Sequence, residues 1–574
     1  MRRLPAAVLL VAAILATAAL WTVSRGKWSD PIIDTGIEWF YADALSRGAL
    51  LYRDVVYWFG PFTPYFHAAF FALLGSSFST LVLTGVVMCS GTLAALYLAL
   101  RRVTGRAEAA AAVALAVPVL VFMPGGGGAI LGMGYRMWEA AAFALVAVAL
   151  AAGRPSGPWR SAAVGGLCAL AGLCRTEWGV ASLLAAGTAT WIRGGSLRDR
   201  VHDVLIACVA FLALFGGTMG VFVAVSGSKA VLRDGHLLLT GLPPETRRHL
   251  LNISGLRDPA GGFLRLLYSA SMWGTIFLVV EVASTWKNDP DRLRRRLPWL
   301  GGALVFLLVY SNYAGSTTML FFSGVPLIAA AAAGVGFLRG RGPRAAALAG
   351  YGLLGLMVCL RKPFSIADSP YVAPPLIVAL VCGIGLLASA VSGERIRSAR
   401  VRLRWALFAM VALLAGFSFA ARTVQYSRDP RVPLPGTGGW LSAPPEAARA
   451  ITLLVREIRV RTRPDDGLVV FPEGQVINFL SGRRNPIRFN LFIPGYLTDT
   501  NELEIIGELS RVKPAAVVVV NRQTSEYGRR FFGKNYGRRV WSWIEENYDP
   551  RPFDEAAAES SASVARLYLR KTPP

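Results

Sequence analysis

The residues of this chain best placed to do chemistry are the acids between its first two apolar stretches. Asp30, Asp34, Glu38, Asp43 and Asp54 stand there against Arg25, Lys27, Arg47 and Arg53. Carboxylates at the edge of an apolar layer are costly unless they are solvated, paired or used. Asp34 and Glu38 are four residues apart, so a helix brings both to one face, with Asp34 at its N-terminal end. Asp34 can cap a helix that begins at Gly36 or serve as a catalytic carboxylate, and the two roles are compatible.

The elements that must hold these acids follow from spacing. Ile37, Phe40, Tyr41, Ala44 and Leu45 recur with helical period, which predicts an amphipathic helix over 36–47 lying in a membrane interface. The apolar run from Pro64 to Leu74 is too short to cross a bilayer and suits a second interfacial or re-entrant helix. Trp39, Tyr41, Tyr52, Tyr57, Trp58 and Tyr65 are the aromatics expected at headgroup depth.

The whole chain fits such a setting. Of its 574 residues 54% are hydrophobic and only 17% charged, and its mean hydropathy is +0.46. About thirteen apolar stretches, from 5–22 and 78–100 through to 405–421, have nearly the length a helix needs to cross hydrocarbon. The first could be a cleaved signal peptide, but the spans that follow favour an uncleaved anchor. The formal charge is +25, yet most of the excess sits in alternate loops. Arg101, Arg102 and Arg106 mark one such loop, Arg193, Arg198 and Arg200 another, and Arg292, Arg294, Arg295 and Arg296 a third. Cytoplasmic loops carry such an excess, so the N-terminus is placed inside and the tail after residue 421 outside, which in a bacterium is the periplasm. Nucleic-acid binding is set aside, because no aromatic stacking pattern interleaves with these arginines. The composition also excludes disorder. The six cysteines lie in apolar runs without a CxxC pair, and the four histidines show no zinc-binding spacing.

Beyond Arg422 the character changes. Residues 422–444 read as a Pro- and Gly-rich linker. Strands are expected at 467–471, 515–520 and 565–570, with helices at 445–460, 501–511 and 536–547 between them. The expected architecture is an α-helical multi-span membrane domain over 1–421, with its first outer loop at 23–77, followed by a small extracytoplasmic α/β domain over 445–574.

The first loop carries a resemblance. Asp34, Gly36, Tyr41, Ala42, Leu45 and Gly48, then Tyr52, Arg53 and Asp54, then Gly60, Pro61 and Gly75, look like the first periplasmic loop of GT-C glycosyltransferases. The group they resemble is the bacterial branch related to protein O-mannosyltransferases and lipid A aminoarabinose transferases. The resemblance implies an inner-membrane enzyme that takes a sugar from a polyprenyl-phosphate carrier and transfers it to a protein, lipid or glycan on the outer face. Its catalytic acid corresponds to Asp34. Many relatives have two adjacent acids, whereas Thr35 follows Asp34 here, so the division of labour between Asp34 and Glu38 stays open. One carboxylate as base and a phosphate as leaving group imply a single inverting displacement.

The leaving phosphate needs positive charge, for which Arg53, Arg136, Arg175, Arg361 and Lys362 are candidates. Tyr52 and Asp54 belong to the same motif. Arg136 with Glu139, and Arg175 with Glu177, are either local ion pairs or parts of the binding site. Arg361 and Lys362, with Asp368, are either a snorkelling helix end or a phosphate clamp. His67 is read as packing. No cofactor is expected, although a divalent ion on Asp34, Glu38 or Asp54 is an alternative to a metal-independent reaction. Glu473 and Gln475 follow a strand in the polar and aromatic segment 471–490, which is read as touching the acceptor, as covering the cleft or as a structural turn. The competing function is a transporter or flippase of lipid-linked sugars, which would favour polar or broken helices at mid-membrane.

Overall fold

Among the described residues, helices cover most of the expected apolar runs. The computed structural model describes residues 4–33, 35–123, 135–153, 157–236, 258–285, 324–359, 369–393, 397–499, 501–551 and 565–571, with a few isolated positions between 244 and 302. In order, the first helices are α1 (Leu4–Ser24), α2 (Thr35–Ser46), α3 (Phe62–Leu74), α4 (Phe78–Val103), α5 (Arg106–Ala116), α6 (Tyr135–Ala151), α7 (Pro158–Cys174), α8 (Thr176–Ile192), α9 (Leu197–Phe211) and α10 (Gly217–Ser226). Helices at Pro259–Thr285, Val325–Leu338, Pro343–Cys359, Ser369–Gly393 and Arg397–Ser427 follow. The stretch expected at 298–316 lies almost wholly outside the described residues.

Two helical runs among the described residues are long and apolar enough to cross a membrane, Phe78–Val103 and Leu197–Ser226. The second joins α9 to α10 through a π-helical turn at Leu212–Gly216. It leaves Leu205, Val209, Leu212, Val221 and Val225 exposed, as a helix facing hydrocarbon would. Interior helices pack through small residues instead. Ala140, Ala141, Ala144 and Ala147 of α6 and Ala181, Ala185 and Ala189 of α8 are all buried, which lets backbones approach closely where lipid offers no hydrophobic drive to association.

The C-terminal part has a different logic. Four strands, β3 (Leu468–Phe471), β4 (Ala516–Val520), β5 (Tyr548–Arg551) and β6 (Ala565–Arg570), form a sheet of order β3-β4-β6-β5, parallel between β3 and β4 and antiparallel elsewhere. The two-residue side-chain period of a strand divides its faces. Leu468, Val470, Ala516 and Val518 join one apolar cluster with Ile451, Leu454 and Ile458 of the helix Pro445–Arg461. Val469, Phe471, Val517 and Tyr568 join another with Ile505, Leu509, Val540 and Ile544 of the helices Glu502–Val512 and Arg538–Asn547.

Two differences from expectation concern the joint between the parts. The helix Arg397–Ser427 runs past residue 421, and the linker contains a small antiparallel hairpin, β1 (Val432–Pro433) and β2 (Ser442–Ala443). That segment is stitched to the end of α1. Arg25 lies 4.1 Å over the Trp440 ring, Trp28 stacks on the same ring, and Arg431 Nη1 donates to Ser29 O at 2.7 Å.

Candidate active site

The first loop is held between the helices and the C-terminal sheet. Helix α2 buries Ile37, Glu38, Trp39, Phe40, Tyr41, Asp43 and Leu45, so it is covered all round rather than lying amphipathically in an interface. The reason is tertiary: the C-terminal part packs over it. Phe479 meets both Trp39 and Phe78 edge-on, at 4.9 and 4.7 Å. Gly36 touches the turn after β3, where a Cβ would lie 2.2 Å from Val476 N. Gly60 presses on the end of α7, where a Cβ would lie 2.0 Å from Leu173 O. Glycine at these two motif positions therefore serves close approach of backbone to backbone.

Between these contacts the loop turns sharply. Tyr52 adopts a φ of 70°, a conformation that costs a residue with a side chain about 1–3 kcal/mol unless its surroundings enforce it. Its hydroxyl donates to Phe59 O at 2.5 Å, which ties the two ends of the turn.

Beneath the loop lies a set of buried charges. Arg136, at the head of α6, donates from Nη1 to Glu38 Oε1 at 2.8 Å, with both residues buried. Burial pushes the Glu38 carboxyl above the ordinary carboxylate range, and the Arg136 guanidinium opposes that shift. Arg175, between α7 and α8, is buried and pairs with the more exposed Glu177 at 2.6 Å. Both guanidinium groups lie over the Phe59 ring, Arg136 at 3.9 Å and Arg175 at 4.6 Å from its centroid. A ring's negative face favours cations placed so, and Phe59 is met by one arginine from α6 and one from the joint between α7 and α8.

Arg136 thus pairs with Glu38 across the loop, whereas Glu139 turns elsewhere. Glu139 accepts from the Thr63 hydroxyl and, at 3.8 Å, from Cys174 Sγ, and its Oε1 lies 4.0 Å from His67 Nε2. His67 itself packs edge-on against Tyr135.

Arg53 and Asp54 are not part of this cluster. They pair with each other at 2.8 Å on an exposed turn, where Asp54 Oδ2 also accepts from Leu50 N. Asp54 lines a separate cleft of about 390 Å³ between α2 and the C-terminal part, together with Trp39, Asp43, Arg47, Arg484 and Asn485. Asp34, Arg361 and Lys362 lie outside the described residues. Among the described residues no group of His, Cys, Asp or Glu is arranged to hold a metal ion.

No protein-family model matches the sequence, and no curated protein matches it. The structure is nevertheless similar to solved ones. ArnT from Cupriavidus metallidurans in the apo state matches with a TM-score of 0.54 at 11% identity, covering 97% of each chain. The same protein bound to undecaprenyl phosphate matches with a TM-score of 0.53. The apo oligosaccharyltransferase of Archaeoglobus fulgidus matches with a TM-score of 0.50 at 12% identity, over 94% of this chain and 73% of that one. All are GT-C glycosyltransferases. The chain has the GT-C fold.

Within that GT-C fold, the site gains residues that sequence reasoning did not single out. Phe59 carries no motif signal beyond its place before Gly60-Pro61. Tyr57 is legible only as an interfacial aromatic, and Tyr41 as that and as a motif and helix-period position, yet their rings meet edge-on at 4.7 Å beside Glu38. Asn490, from the C-terminal part, accepts from the Tyr41 hydroxyl at 3.3 Å. Glu473 and Gln475 occupy the turn against Gly36: Glu473 pairs with Arg522 at 2.7 Å, and Gln475 donates to Asn490 O.

Proposed function

We propose that this chain is an integral membrane glycosyltransferase that moves a sugar from a polyprenyl-phosphate-linked donor to an acceptor on the outer, periplasmic face. The observation that carries the reading is the buried Glu38–Arg136 pair under the first loop, in a fold shared with a structure bound to undecaprenyl phosphate. A guanidinium kept out of water is a strong partner for a phosphate, and Glu38 supplies the counter-charge that lets it stay there without ligand.

The roles follow from this division. Glu38 is committed to Arg136, so Asp34, four residues earlier, is the base. An acceptor hydroxyl or amine attacks the anomeric carbon and gives its proton to the Asp34 carboxylate. The carbon–oxygen bond to the phosphate breaks, its electron pair stays on the phosphate oxygen, and polyprenyl phosphate leaves against Arg136 and Arg175. Arg361 and Lys362 add positive charge on the same side. One displacement inverts the anomeric centre. On this reading the arginines of alternate loops set the N-terminus in the cytoplasm of a bacterial inner-membrane protein of about thirteen spans and the domain over 445–574 in the periplasm.

The test is transfer of labelled sugar from polyprenyl-phosphate donors in membranes carrying Asp34→Asn. General-base catalysis is worth roughly 10²–10⁴-fold, so a loss of that size is expected with normal insertion. Full activity in that variant overturns the assignment of the base. Movement of the lipid-linked sugar across the membrane with no transfer would support the transporter instead.

A further inference from the structure

Where the C-terminal part meets the first loop, two buried hydrogen-bonding groups lack a partner among the described residues. The junction is otherwise well bonded: Val56 N donates to Arg488 O at 3.0 Å, and the Tyr41 hydroxyl reaches both Val56 O and Asn490 Oδ1 at 3.3 Å. Gln475 secures the Asn490 backbone from behind. Yet Asn490 Nδ2 and the Tyr57 hydroxyl have no hydrogen-bond partner among the described residues, although each residue is only 1% exposed. Exchanging the amide oxygen and nitrogen of Asn490 does not help, because the Tyr41 hydroxyl pairs with either atom and leaves the other unmatched. Native structures rarely bury such groups, since the lost bonds to water are not replaced.

We propose that Asn490 and Tyr57 bind the hydroxyl groups of the sugar on the lipid-linked donor, so that the C-terminal part supplies a substrate-contacting residue. This rests on the glycosyltransferase reading above and goes beyond it in dividing recognition of the donor between two sets of groups. The chemistry decides the division. An amide and a phenol are neutral and can both donate and accept, which suits a hydroxyl that does the same. The guanidinium of Arg136 donates only and is charged, which suits the phosphate. The Tyr57 ring meets Phe59 edge-on at 5.7 Å, and Arg136 lies 3.9 Å over that same Phe59 ring, so sugar and phosphate sites adjoin as a glycosyl phosphate requires.

The full chain in nanodiscs would be tested with undecaprenyl phosphate and with undecaprenyl-phosphate glucose, mannose and arabinose as probes. Wild type should bind at least one sugar-bearing lipid more tightly than the bare carrier. Tyr57→Phe and Asn490→Asp should each lower affinity for that lipid about tenfold, the size expected when one hydrogen bond is lost, while the bare carrier stays within about twofold. Because the Tyr57 hydroxyl has no partner among the described residues, Tyr57→Phe should not lower the melting temperature; a purely structural hydroxyl would. Unchanged affinity for the sugar-bearing lipid in both variants, or equal loss for the bare carrier, overturns the proposal. If wild type bound none of these lipids, the glycosyltransferase reading would fail first.

Discussion

Glu38 and Asp54 belong to the same loop and each holds an arginine at 2.8 Å, but their surroundings are opposite. The Glu38 and Arg136 side chains are 4% and 8% exposed; those of Asp54 and Arg53 are 38% and 52% exposed. In water an ion pair gains little, because both ions were already solvated. In a dry interior each ion has given up solvation that only its partner replaces, so the pair is costly to break even where it adds little net stability. The lesson is that the pair with poor access to water can exchange one strong partner for another. A phosphate arriving at Arg136 enters a site where charge is already held out of water, whereas at Arg53 it would compete with solvent.

Removing one partner separates the two pairs most sharply. Arg136→Ala leaves Glu38 buried and uncompensated, for which about 3–5 kcal/mol of stability is expected to be lost. The checks are detergent-solubilised yield and melting temperature, together with transfer activity, which should vanish. Neutralising both partners, Glu38→Gln with Arg136→Gln, should restore much of the folded yield without restoring transfer. Recovery of transfer in the double variant would show that the buried charge plays no part in the reaction.

How far the sequence reveals this contrast depends on the range of the interaction involved. Periodicity is local, and the expected helices at 445–460, 501–511 and 536–547 appear as Pro445–Arg461, Glu502–Val512 and Arg538–Asn547. Strand β5, Tyr548–Arg551, was not anticipated, because Asp549, Pro550 and Arg551 give it neither β-branched residues nor alternation, and as an edge strand it needs only one partner. The motif acids were legible by type, but which of them is buried was not. Arg136 stands three residues before Glu139, the spacing of a local helical pair, yet it reaches Glu38 on another helix. Only the approach of α2 to α6 under a covering domain makes that pairing. Asn490 is less legible still: it ends the polar and aromatic segment 471–490, which reads as an acceptor contact, a cover for the cleft or a turn, and nothing in that stretch marks Asn490 as the residue that meets Tyr41.

The ring between the two arginines offers a smaller perturbation. Phe59→Leu keeps bulk but removes the π face from both guanidinium groups, each contact being worth roughly 0.5–2 kcal/mol according to its desolvation. Arg136 retains Glu38 and Arg175 retains Glu177, so the fold should survive. The expected change is several-fold weaker binding of the phosphate-bearing donor, read as a rise in KM with a modest fall in kcat. Unaltered KM would mean that Phe59 merely fills space and that the two arginines do not converge on one ligand.

The exposed pair should respond least, and that makes it the control for the whole contrast. Arg53→Ala frees Asp54, but that carboxylate keeps its bond from Leu50 N and already meets water, so nothing buried is left without compensation. Melting temperature should not move measurably, and transfer should stay within about twofold, as for most surface pairs. Arg53 belongs to the motif stretch Tyr52-Arg53-Asp54, so a large loss of transfer here would be informative. It would mean that Arg53 meets the phosphate in the working enzyme, and that exposure at rest is a poor guide to which arginine the donor uses.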